Sequence, residues 1–272
     1  MRERPYGIPF IRATLMEIVE LALRTAEQPR LFCTCNLNHL RVLQIDADFQ
    51  EAYQKAAIVT LDSRPIKVLA RIQLRQSLPL ITGADLFEML IERLRPGVDR
   101  PFFVASSQVV ANELINKLLA RGFTAGTVSY ATPPFGFESN QAYSDHLVEQ
   151  LHRFSPTHLF MGVGAPKSEI WISRRFGALP SANIFCVGAA LDFTSGLKGR
   201  APLWLRKLGL EWLHRLASEP RRLLPRYAGD VAMLIRMIAR QPLVEIHPLN
   251  VGVSEDNATI LSSGSCQPMR HP

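Results

Sequence analysis

The sequence predicts an α/β protein with a Rossmann-like, mostly parallel sheet, helices on both faces and a C-terminal helical appendage. Strand-like apolar runs alternate with helical patterns from residue 31 to residue 193, as in parallel sheets. Two amphipathic patterns follow, at residues 203–217 and 223–238. Hydrophobic residues make up 47% of the chain and charged residues 20%, which is typical of a globular protein. We expect an α/β core at residues 1–197, a basic appendage at 198–243 and a flexible polar tail at 244–272.

The first part of the chain reads as alternating helices and strands. Apolar residues at helical spacing fill residues 14–26 behind Thr14, a plausible N-cap. A strand at 31–35, a helix at 40–55 and a strand at 57–61 follow. Polar residues come directly after both strands, where open α/β sheets place their ligands. These residues are Asn36 and Asp62.

The second part continues the alternation. Thr-Gly-Ala-Asp at residues 82–85 predicts a turn into a helix that Asp85 caps. A stiff turn is predicted at Pro133 and Pro134, and it could equally form a wall of a nucleotide pocket. The remaining elements are strands at 101–107, 127–130, 157–163 and 184–191, and helices at 109–121 and 142–154.

A glycine-rich turn follows the strand at 157–163. Residues 162–169 read Gly-Val-Gly-Ala-Pro-Lys-Ser-Glu, which indicates a strand that feeds a helix N-terminus. Glycines let the backbone approach a ligand, and the free N–H groups of a helix start favour phosphate or carboxylate. Gly162 and Gly164 by themselves favour a tight structural turn in an α/β unit, and only the longer pattern around them points to a ligand.

Positive charge is concentrated near the C-terminus. The chain has a net charge of +7, and residues 198–226 hold eight Lys and Arg against two Glu. Such a patch favours an anionic partner, which could be a pyrophosphate, an acidic lipid headgroup or a nucleic acid.

The cysteines and apolar segments limit the protein class. Four cysteines, of which two are Cys33 and Cys35, form neither a disulfide framework nor the spacing of a zinc site. We therefore expect a reduced, cytoplasmic protein. No secretory signal is evident, and charged residues interrupt the apolar stretch at 231–246, so we expect no membrane-spanning helix.

Three stretches together resemble the signature of the WecG/TagA/CpsF glycosyltransferases (glycosyltransferase family 26), which move a sugar from a nucleotide donor to a lipid-linked acceptor. They are residues 162–169, residues 187–193 (Val-Gly-Ala-Ala-Leu-Asp-Phe) and the basic segment from residue 199 to Tyr227. The resemblance implies that Asp62 is the general base, since a carboxylate can take the proton of an attacking hydroxyl. A local Asx-turn is the alternative role for Asp62.

The resemblance also implies the donor site. Thr34 is placed beside Asp62 as a catalytic position. The implied donor-binding residues are Asn36, Gly83, Gly162, Gly164, Pro166, Ser168, Glu169, Gly188 and Asp192. The chain departs from the family pattern at Ser63, where Gly is usual, and at Ser168, where Gln is usual. For Asp192, pairing with Arg200 and contact with substrate are both open, and for Trp171 we expect a packing role.

The resemblance implies that arginines of the basic appendage serve the pyrophosphate and the acceptor, and an arginine can hold phosphate oxygens bidentately. The candidates are Arg200, Arg215, Arg221, Arg222 and Arg226. The resemblance implies no metal and no cofactor, and it places the protein on the inner face of the cytoplasmic membrane. Amphipathic, arginine-rich helices are suited to such a surface, although their apolar stripes could also pack on the core.

The resulting prediction is an inverting transferase that moves a hexose or N-acetylhexosamine from a UDP-sugar to an undecaprenyl-diphosphate-linked saccharide, in bacterial cell-surface or exopolysaccharide synthesis. UDP-N-acetylmannosamine and UDP-glucose are both open as donors. The alternatives are a degenerate transferase and a non-catalytic nucleotide-sugar or nucleic-acid binding protein. We expect no nucleic-acid partner, because the basic region lacks a recognisable binding module.

Overall fold

The structure, a computed structural model, describes residues 2–3, 5–73, 75, 77–208 and 211–239. The side chains of residues 2, 3, 5, 203, 207, 208 and 222 are outside this description, as is the whole of the predicted tail at 244–272. Among the described helices, none is long and apolar enough to cross a membrane.

Eight strands form one sheet, in the order β1-β2-β4-β3-β8-β7-β5-β6. The strands are β1 (Arg2–Glu3), β2 (Phe10–Ile11), β3 (Arg30–Cys35), β4 (Ala56–Leu61), β5 (Pro101–Val104), β6 (Ser129–Ala131), β7 (His158–Met161) and β8 (Asn183–Cys186). All neighbouring strands are parallel except the edge pair β1 and β2. The mostly parallel sheet predicted from the alternating pattern is therefore confirmed.

Twelve α-helices are described, together with short 3-10 turns at Pro5–Gly7, Phe137–Ser139 and Phe176–Ala178. The first six helices are α1 (Leu15–Ala22), α2 (Leu37–Leu43), α3 (Ala47–Lys55), α4 (Arg64–Gln73), α5 (Gly83–Arg93) and α6 (Gln108–Leu119). The others are α7 (Gln141–Phe154), α8 (Lys167–Arg175), α9 (Ala190–Ser195), α10 (Leu203–Leu208), α11 (Glu211–Ser218) and α12 (Pro220–Ile238).

The sheet separates two apolar clusters, because successive strand residues point to opposite faces. In β3, Leu31 and Cys33 belong to one cluster and Phe32 to the other. The first cluster packs against α2, α3, α4, α7, α8 and α12, and the second against α1, α5, α6 and α9. On the second face, Phe32, Phe185 and Phe160 stack with ring centroids 4.6 and 5.0 Å apart.

Several predicted boundaries differ from the structure. The single helix expected at 40–55 is two helices, because Asp46 interrupts it and its side chain accepts the Phe49 N–H at 3.0 Å as the cap of α3. The cap of α5 is Thr82, not Asp85, and the Thr82 hydroxyl accepts the Asp85 N–H at 3.0 Å. Residues 203–217 likewise fall into two helices, α10 and α11.

The strand expected at 184–191 ends at Cys186, and the chain turns into α9 at Ala190. The turn contains Gly188, whose φ of +52° lies in the left-handed region that favours glycine. Asp192 therefore stands in the first turn of a helix, not after a strand.

The appendage packs on the core. Helix α12 lies mainly against α2, and its buried Met233 and Met237 belong to the first apolar cluster. The Gln73 side chain at the end of α4 donates to the Met237 carbonyl at 2.8 Å. Part of the amphipathic pattern of the appendage is therefore explained by packing on the protein's own core.

Candidate active site

The carboxyl ends of neighbouring parallel strands bring the predicted site residues to one edge of the sheet. Thr34 is near the end of β3, and Asp62 directly follows β4, its neighbour. Gly162 and Gly188 follow β7 and β8 in the same way, and Gly83 begins α5. Residues far apart in sequence thus share one crevice rim.

Two hydrogen bonds fix the position of Asp62. Its backbone N–H donates to the Cys35 carbonyl at 2.7 Å, which extends the β3–β4 ladder by one residue. One carboxylate oxygen, Oδ2, accepts the Gly83 N–H at 3.2 Å. The side chain that caps the start of α4 belongs to Ser63 and not to Asp62, since the Ser63 Oγ accepts the Ile66 N–H at 3.4 Å. The carboxylate is thus held at the start of α5, while Ser63, a departure from the family pattern, directly precedes α4.

The surroundings of Asp62 raise its pKa to about 7, and burial is the largest cause. The Gly83 N–H and the positive charge of Arg215 act in the opposite direction, and Glu211 and Asp85 add smaller increases. A carboxyl group with a pKa near neutrality can exchange a proton with a substrate hydroxyl at physiological pH. Asp62 therefore has the protonation behaviour of a general base, and Arg215 of the appendage is close enough to influence it.

Thr34 and Gly83 are in close contact. The Thr34 hydroxyl donates to the Cys186 carbonyl at 3.3 Å, and a Cβ on Gly83 would stand 3.1 Å from that hydroxyl oxygen. Asn36 caps α2, because its Oδ1 accepts the His39 N–H at 3.3 Å. Thr34 and Asn36 accordingly have defined structural roles at the rim, beside Asp62.

The turns after β7 and β8 favour glycine for two reasons, which are limited space at Gly162 and a positive φ at Gly164 and Gly188. A Cβ on Gly162 would lie 2.6 Å from the Leu191 Cδ2 atom, so even an alanine would force a shift. Gly164 has a φ of +83°, and a Cβ on Gly188 would stand 3.7 Å from its Cα. The two turns therefore lie against each other at Gly164 and Gly188.

Pro166 occupies the N-cap position of α8, and the side chains from Ser168 onward are buried up to Ser173. Ser168 is buried, and its Oγ donates to the Gly164 carbonyl at 3.3 Å. Glu169 is also buried, and within the described part of the chain its Oε2 has no hydrogen-bond partner. Burial raises the pKa of Glu169 to about 7. Trp171 is buried as expected, with its Nε1 donating to the Ser144 hydroxyl at 3.0 Å.

Asp192 is paired, but not with Arg200 as the sequence suggested. Its Oδ1 accepts the Ser106 hydroxyl at 2.7 Å, and its Oδ2 lies 2.9 Å from the Lys198 Nζ. The reason is the end of α9 at Gly196, where a φ of +87° turns the chain back. That turn places Lys198, not Arg200, beside the carboxylate.

Arg200 instead joins the core to the appendage. It is only 14% exposed and lies 2.6 Å from the Asp85 carboxylate and 2.8 Å from that of Glu88. Arg206 reaches the same Asp85 oxygen at 2.8 Å. In this conformation the charge of Arg200 is compensated by carboxylates of α5.

The other candidate arginines occupy different places. The Arg215 guanidinium lies 5.2 Å from the ring centroid of Phe193, next to the site. Arg226 is half-buried beside α2; burial, together with a smaller effect of the Arg226 charge, lowers the pKa of His39 to about 3. Arg221 is exposed, and the side chain of Arg222 is outside the described residues. The structure thus brings one appendage arginine, Arg215, together with Asp62.

The loop at Pro133 and Pro134 was predicted to be either a surface turn or a wall of a nucleotide pocket. Phe135, the next residue, is 95% exposed, and the Lys167 Nζ stands 3.8 Å from its ring centroid. Lys167 is the first residue of α8, so this pair flanks the glycine turn. An exposed aromatic ring next to a lysine could hold a nucleobase and a phosphate.

A separate surface pocket of about 200 Å³ lies near the C-terminal half of α8, between Glu138, Gln141 and Arg174. It does not include the carboxyl edge of the sheet. Across the described residues, no three His, Cys, Asp or Glu side chains are grouped so that they could hold a metal ion.

Comparison with known proteins agrees with these features. Residues 4–246 match the family model described as "Glycosyl transferase WecG/TagA/CpsF family". Proteins of Staphylococcus aureus strains MW2, NCTC 8325 / PS 47 and COL are each 24% identical over 226 residues, covering 80% of this chain and 85% of theirs. All three are named N-acetylglucosaminyldiphosphoundecaprenol N-acetyl-beta-D-mannosaminyltransferase. With a match over most of its length and a carboxylate at the expected edge of the sheet, this chain belongs to the WecG/TagA/CpsF family and is a glycosyltransferase.

Proposed function

We propose that this enzyme moves a hexose or N-acetylhexosamine from a UDP-sugar to an undecaprenyl-diphosphate-linked saccharide, with inversion at the anomeric carbon, in the synthesis of a bacterial cell-surface polymer or exopolysaccharide. The observation that carries the proposal is the environment of Asp62. Its carboxylate stands at the carboxyl edge of the sheet, is held by the Gly83 N–H at 3.2 Å and has a pKa near 7. The Staphylococcus aureus relatives, which are named for a diphosphoundecaprenol-linked acceptor, support the lipid-linked part of the proposal.

The proposed chemistry is a single displacement. The acceptor hydroxyl oxygen bonds to the anomeric carbon while the bond between that carbon and the UDP oxygen breaks. The hydroxyl proton passes to Asp62, and UDP leaves with the electron pair. A base with a pKa near 7 is ionised in about half of the molecules at neutral pH, so the step needs no further activation of the enzyme.

The leaving UDP gains negative charge, which the site can stabilise electrostatically. Arg215 is the described appendage arginine whose charge reaches Asp62, and Arg221, Arg222 and Arg226 remain candidates if α11 and α12 shift toward the crevice. The backbone of the turns at Gly164 and Gly188 can approach the donor closely, and the start of α8 favours an anion. In this proposal, arginines and backbone N–H groups carry the charge compensation.

The donor's uracil is assigned to the exposed Phe135 ring, with Lys167 beside it for phosphate. Lys167 is the first residue of α8, so this pair lies at the start of that helix, directly after the glycine turn. The buried Ser168 hydroxyl donates to the Gly164 carbonyl. Its effect on the donor is therefore indirect, because it fixes the conformation of the glycine turn that the donor would contact. The enzyme would work at the inner face of the cytoplasmic membrane, where a polyprenyl-linked acceptor is found.

The direct test is UDP release by the purified full chain. The donors offered are UDP-N-acetylmannosamine, UDP-N-acetylglucosamine, UDP-glucose and UDP-glucuronate, each with and without a membrane extract that supplies lipid acceptors. The proposal predicts release from one donor, and only with extract. Binding of UDP-sugars without release from any of them would favour a binding protein or a degenerate transferase. Salt-dependent binding of oligonucleotides with no UDP-sugar binding would favour a nucleic-acid partner instead.

A further inference from the structure

The first turn of α5 contacts both the proposed base and the appendage. Its first residue, Gly83, donates its N–H to the Asp62 Oδ2 atom at 3.2 Å. Two positions later, the Asp85 Oδ1 atom accepts a hydrogen bond from the Arg200 guanidinium at 2.6 Å. The other oxygen of Asp85, Oδ2, accepts the hydroxyl of Thr82, the cap of the helix, at 2.7 Å. One helical turn thus connects the base to the appendage.

Arg200 is bound to α5 and is attracted to α11. Its side chain is 14% exposed, and besides Asp85 it donates to the Glu88 Oε2 atom at 2.8 Å. Asp85 and Glu88 are three residues apart on one face of α5, so a single planar guanidinium can bridge both. The Arg200 Nε atom is buried and makes no hydrogen bond within the described residues. The Glu211 Oε1 atom of α11 lies 3.9 Å from it.

Helix α10 is attached to the two helices next to Asp62. The Arg206 guanidinium donates to the same Asp85 oxygen at 2.8 Å, and the Arg206 carbonyl accepts from the Arg64 side chain at 2.6 Å. Arg64 is the first residue of α4, which follows Asp62 in the chain. These contacts are separate from the packing of α12 on α2. The appendage is therefore fixed beside the base at a second, polar attachment.

Helix α11 carries the arginine that lies next to the site. Glu211 and Arg215 are four residues apart, so they are neighbours on the surface of that helix. The Arg215 guanidinium lies 5.2 Å from the Phe193 ring centroid. The charges of Glu211 and Arg215 both reach Asp62, although burial is the largest influence on its pKa. Because Arg200 attracts Glu211, it also affects where Arg215 stands.

We propose that Arg200 is a positioning residue for the transfer reaction, and that its pairing with Asp85 and Glu88 sets the place of α11 and therefore of Arg215 at the leaving pyrophosphate. This inference rests on the proposed function and goes beyond it, because it assigns Arg200 to carboxylates of the protein and not to the substrate. Three carboxylates around one guanidinium compensate its charge and reduce its attraction for a phosphate. Asp85 is then an acidic residue that supports the binding of an anion.

Hydrogen exchange of the full chain without substrate tests the positioning of α11. The test variant is Arg200→Gln, and the matched control is Arg174→Gln, which removes an ion pair with Asp48 between α8 and α3 of the core. We expect α10 and α11 to exchange about tenfold faster in Arg200→Gln, because hydrogen bonds between charged groups are lost. Helix α12 should exchange as in wild type, since it packs on α2. The control should leave all three helices unchanged.

Arg200→Lys tests whether the planar fork is needed. Lysine keeps the positive charge but presents it as a point charge, so it cannot bridge Asp85 and Glu88 in the same geometry. Exchange of α10 and α11 in this variant should lie between that of wild type and that of Arg200→Gln. Exchange as fast in the lysine variant as in the glutamine variant would contradict a role for the charge.

UDP binding by calorimetry distinguishes a positioning role from direct contact with the pyrophosphate. If Asp85 acted through its charge alone, Asp85→Asn would strengthen the binding of an anion. The positioning role predicts the opposite, namely that Asp85→Asn and Arg200→Gln both bind UDP about tenfold more weakly than wild type. Weaker binding by Arg200→Gln together with unchanged or tighter binding by Asp85→Asn would show that Arg200 contacts the pyrophosphate itself, and would overturn the proposal.

The two measurements separate this inference from the proposed function. A wild-type protein that binds no UDP would contradict the proposed function, whereas the exchange experiment uses neither donor nor acceptor and would still give its result. Equal exchange of α10 and α11 in Arg200→Gln and wild type would overturn the positioning role, whether or not transfer is detected.

Discussion

Asp62 combines two properties that suit it to the role of general base that we propose for it. Burial raises its pKa to about 7, and the Gly83 N–H holds one carboxylate oxygen in place while the other is left for a substrate proton. Glu169, buried in the first turn of α8, also has a pKa raised to about 7, but its Oε2 has no partner in the described residues. Two carboxyl groups with similar pKa values thus have different exposures and different expected roles.

Replacement of Asp62 by Asn should lower turnover by about 10² to 10⁴, the usual contribution of a positioned base. The amide can still accept the Gly83 N–H, so folding and UDP binding should be retained. In wild type, kcat/KM should rise with pH through about 7, because the carboxylate must be ionised to accept a proton. The exposed Asp145→Asn serves as control. Near-native turnover of Asp62→Asn would remove Asp62 from the mechanism.

Glu169 should make stability depend on pH. Because its carboxyl pKa is raised from 4.5 to about 7, the folded state keeps the proton to higher pH than the unfolded chain. Its contribution to the free energy of unfolding is therefore greatest below pH 4.5, falls as the pH rises to about 7 and is constant above that. The loss should be at most about 3 kcal/mol.

Urea unfolding at pH 5 and pH 8 measures this effect. Glu169→Gln should be less sensitive to pH than wild type, whereas Glu149→Gln, at an exposed ion pair with Arg153, should behave as wild type does. The same pH dependence in wild type and Glu169→Gln would show that Glu169 is not the group that titrates.

At the level of elements, the glycine turns depend on close packing between β7 and α9. Gly162→Ala should destabilise the protein by about 1–3 kcal/mol, the usual cost of overpacking, because the new Cβ would stand 2.6 Å from Leu191. Gly126→Ala, in an open turn with no atom within 4 Å of its Cβ, should stay within about 0.5 kcal/mol of wild type. Equal stabilities of the two variants in urea unfolding would mean that the turn adapts freely.

The sequence was sufficient to predict the elements whose apolar pattern is strictly local. The alternation in β3, β4 and β7 and the Thr14 cap predicted the sheet and α1, and the structure confirms both. The strand expected at 184–191 was wrong in its second half, because a continuous apolar run does not distinguish a buried strand from a buried helix start. The pairing of Asp192 was also wrong, since it depends on the reversal at Gly196, which local pattern does not specify.

The sequence predicted which residues of the candidate site follow the strands. It did not predict which of these residues contact one another. The position of Asp62 after β4 followed from alternation, while its bond to Gly83 joins residues 21 positions apart. The Asp85–Arg200 ion pair joins residues 115 positions apart. Residue spacing does not predict such long-range contacts. The sequence therefore predicted that Arg200 binds phosphate, whereas in the structure it pairs with carboxylates.

Over the whole molecule, charged side chains of the appendage act on carboxylates of the core at the site. Arg215 on α11 lowers the pKa of Asp62, although the two residues belong to different parts of the chain. Lys198 joins them as well, lying 2.9 Å from both the Asp192 carboxylate of α9 and the Glu219 carboxylate that precedes α12. Docking of the appendage should therefore influence the base as well as the donor.

Arg215→Gln should move the rising limb of the pH–rate profile to higher pH, because loss of the positive charge removes an influence that lowers the Asp62 pKa. It should also raise the KM for the UDP-sugar if Arg215 contacts the pyrophosphate. Arg236→Gln, an exposed arginine on α12, should change neither. An unshifted profile for Arg215→Gln would separate the appendage from the chemistry.

The most direct test of the account is a mass balance of the transfer itself. Purified enzyme is incubated with a defined diphosphate-linked saccharide lipid and the UDP-sugar selected by the release assay, and both products are quantified. The account predicts an acceptor heavier by one sugar residue, in amounts equal to the UDP released. UDP release without a glycosylated lipid, or tight donor binding with neither product, would contradict it.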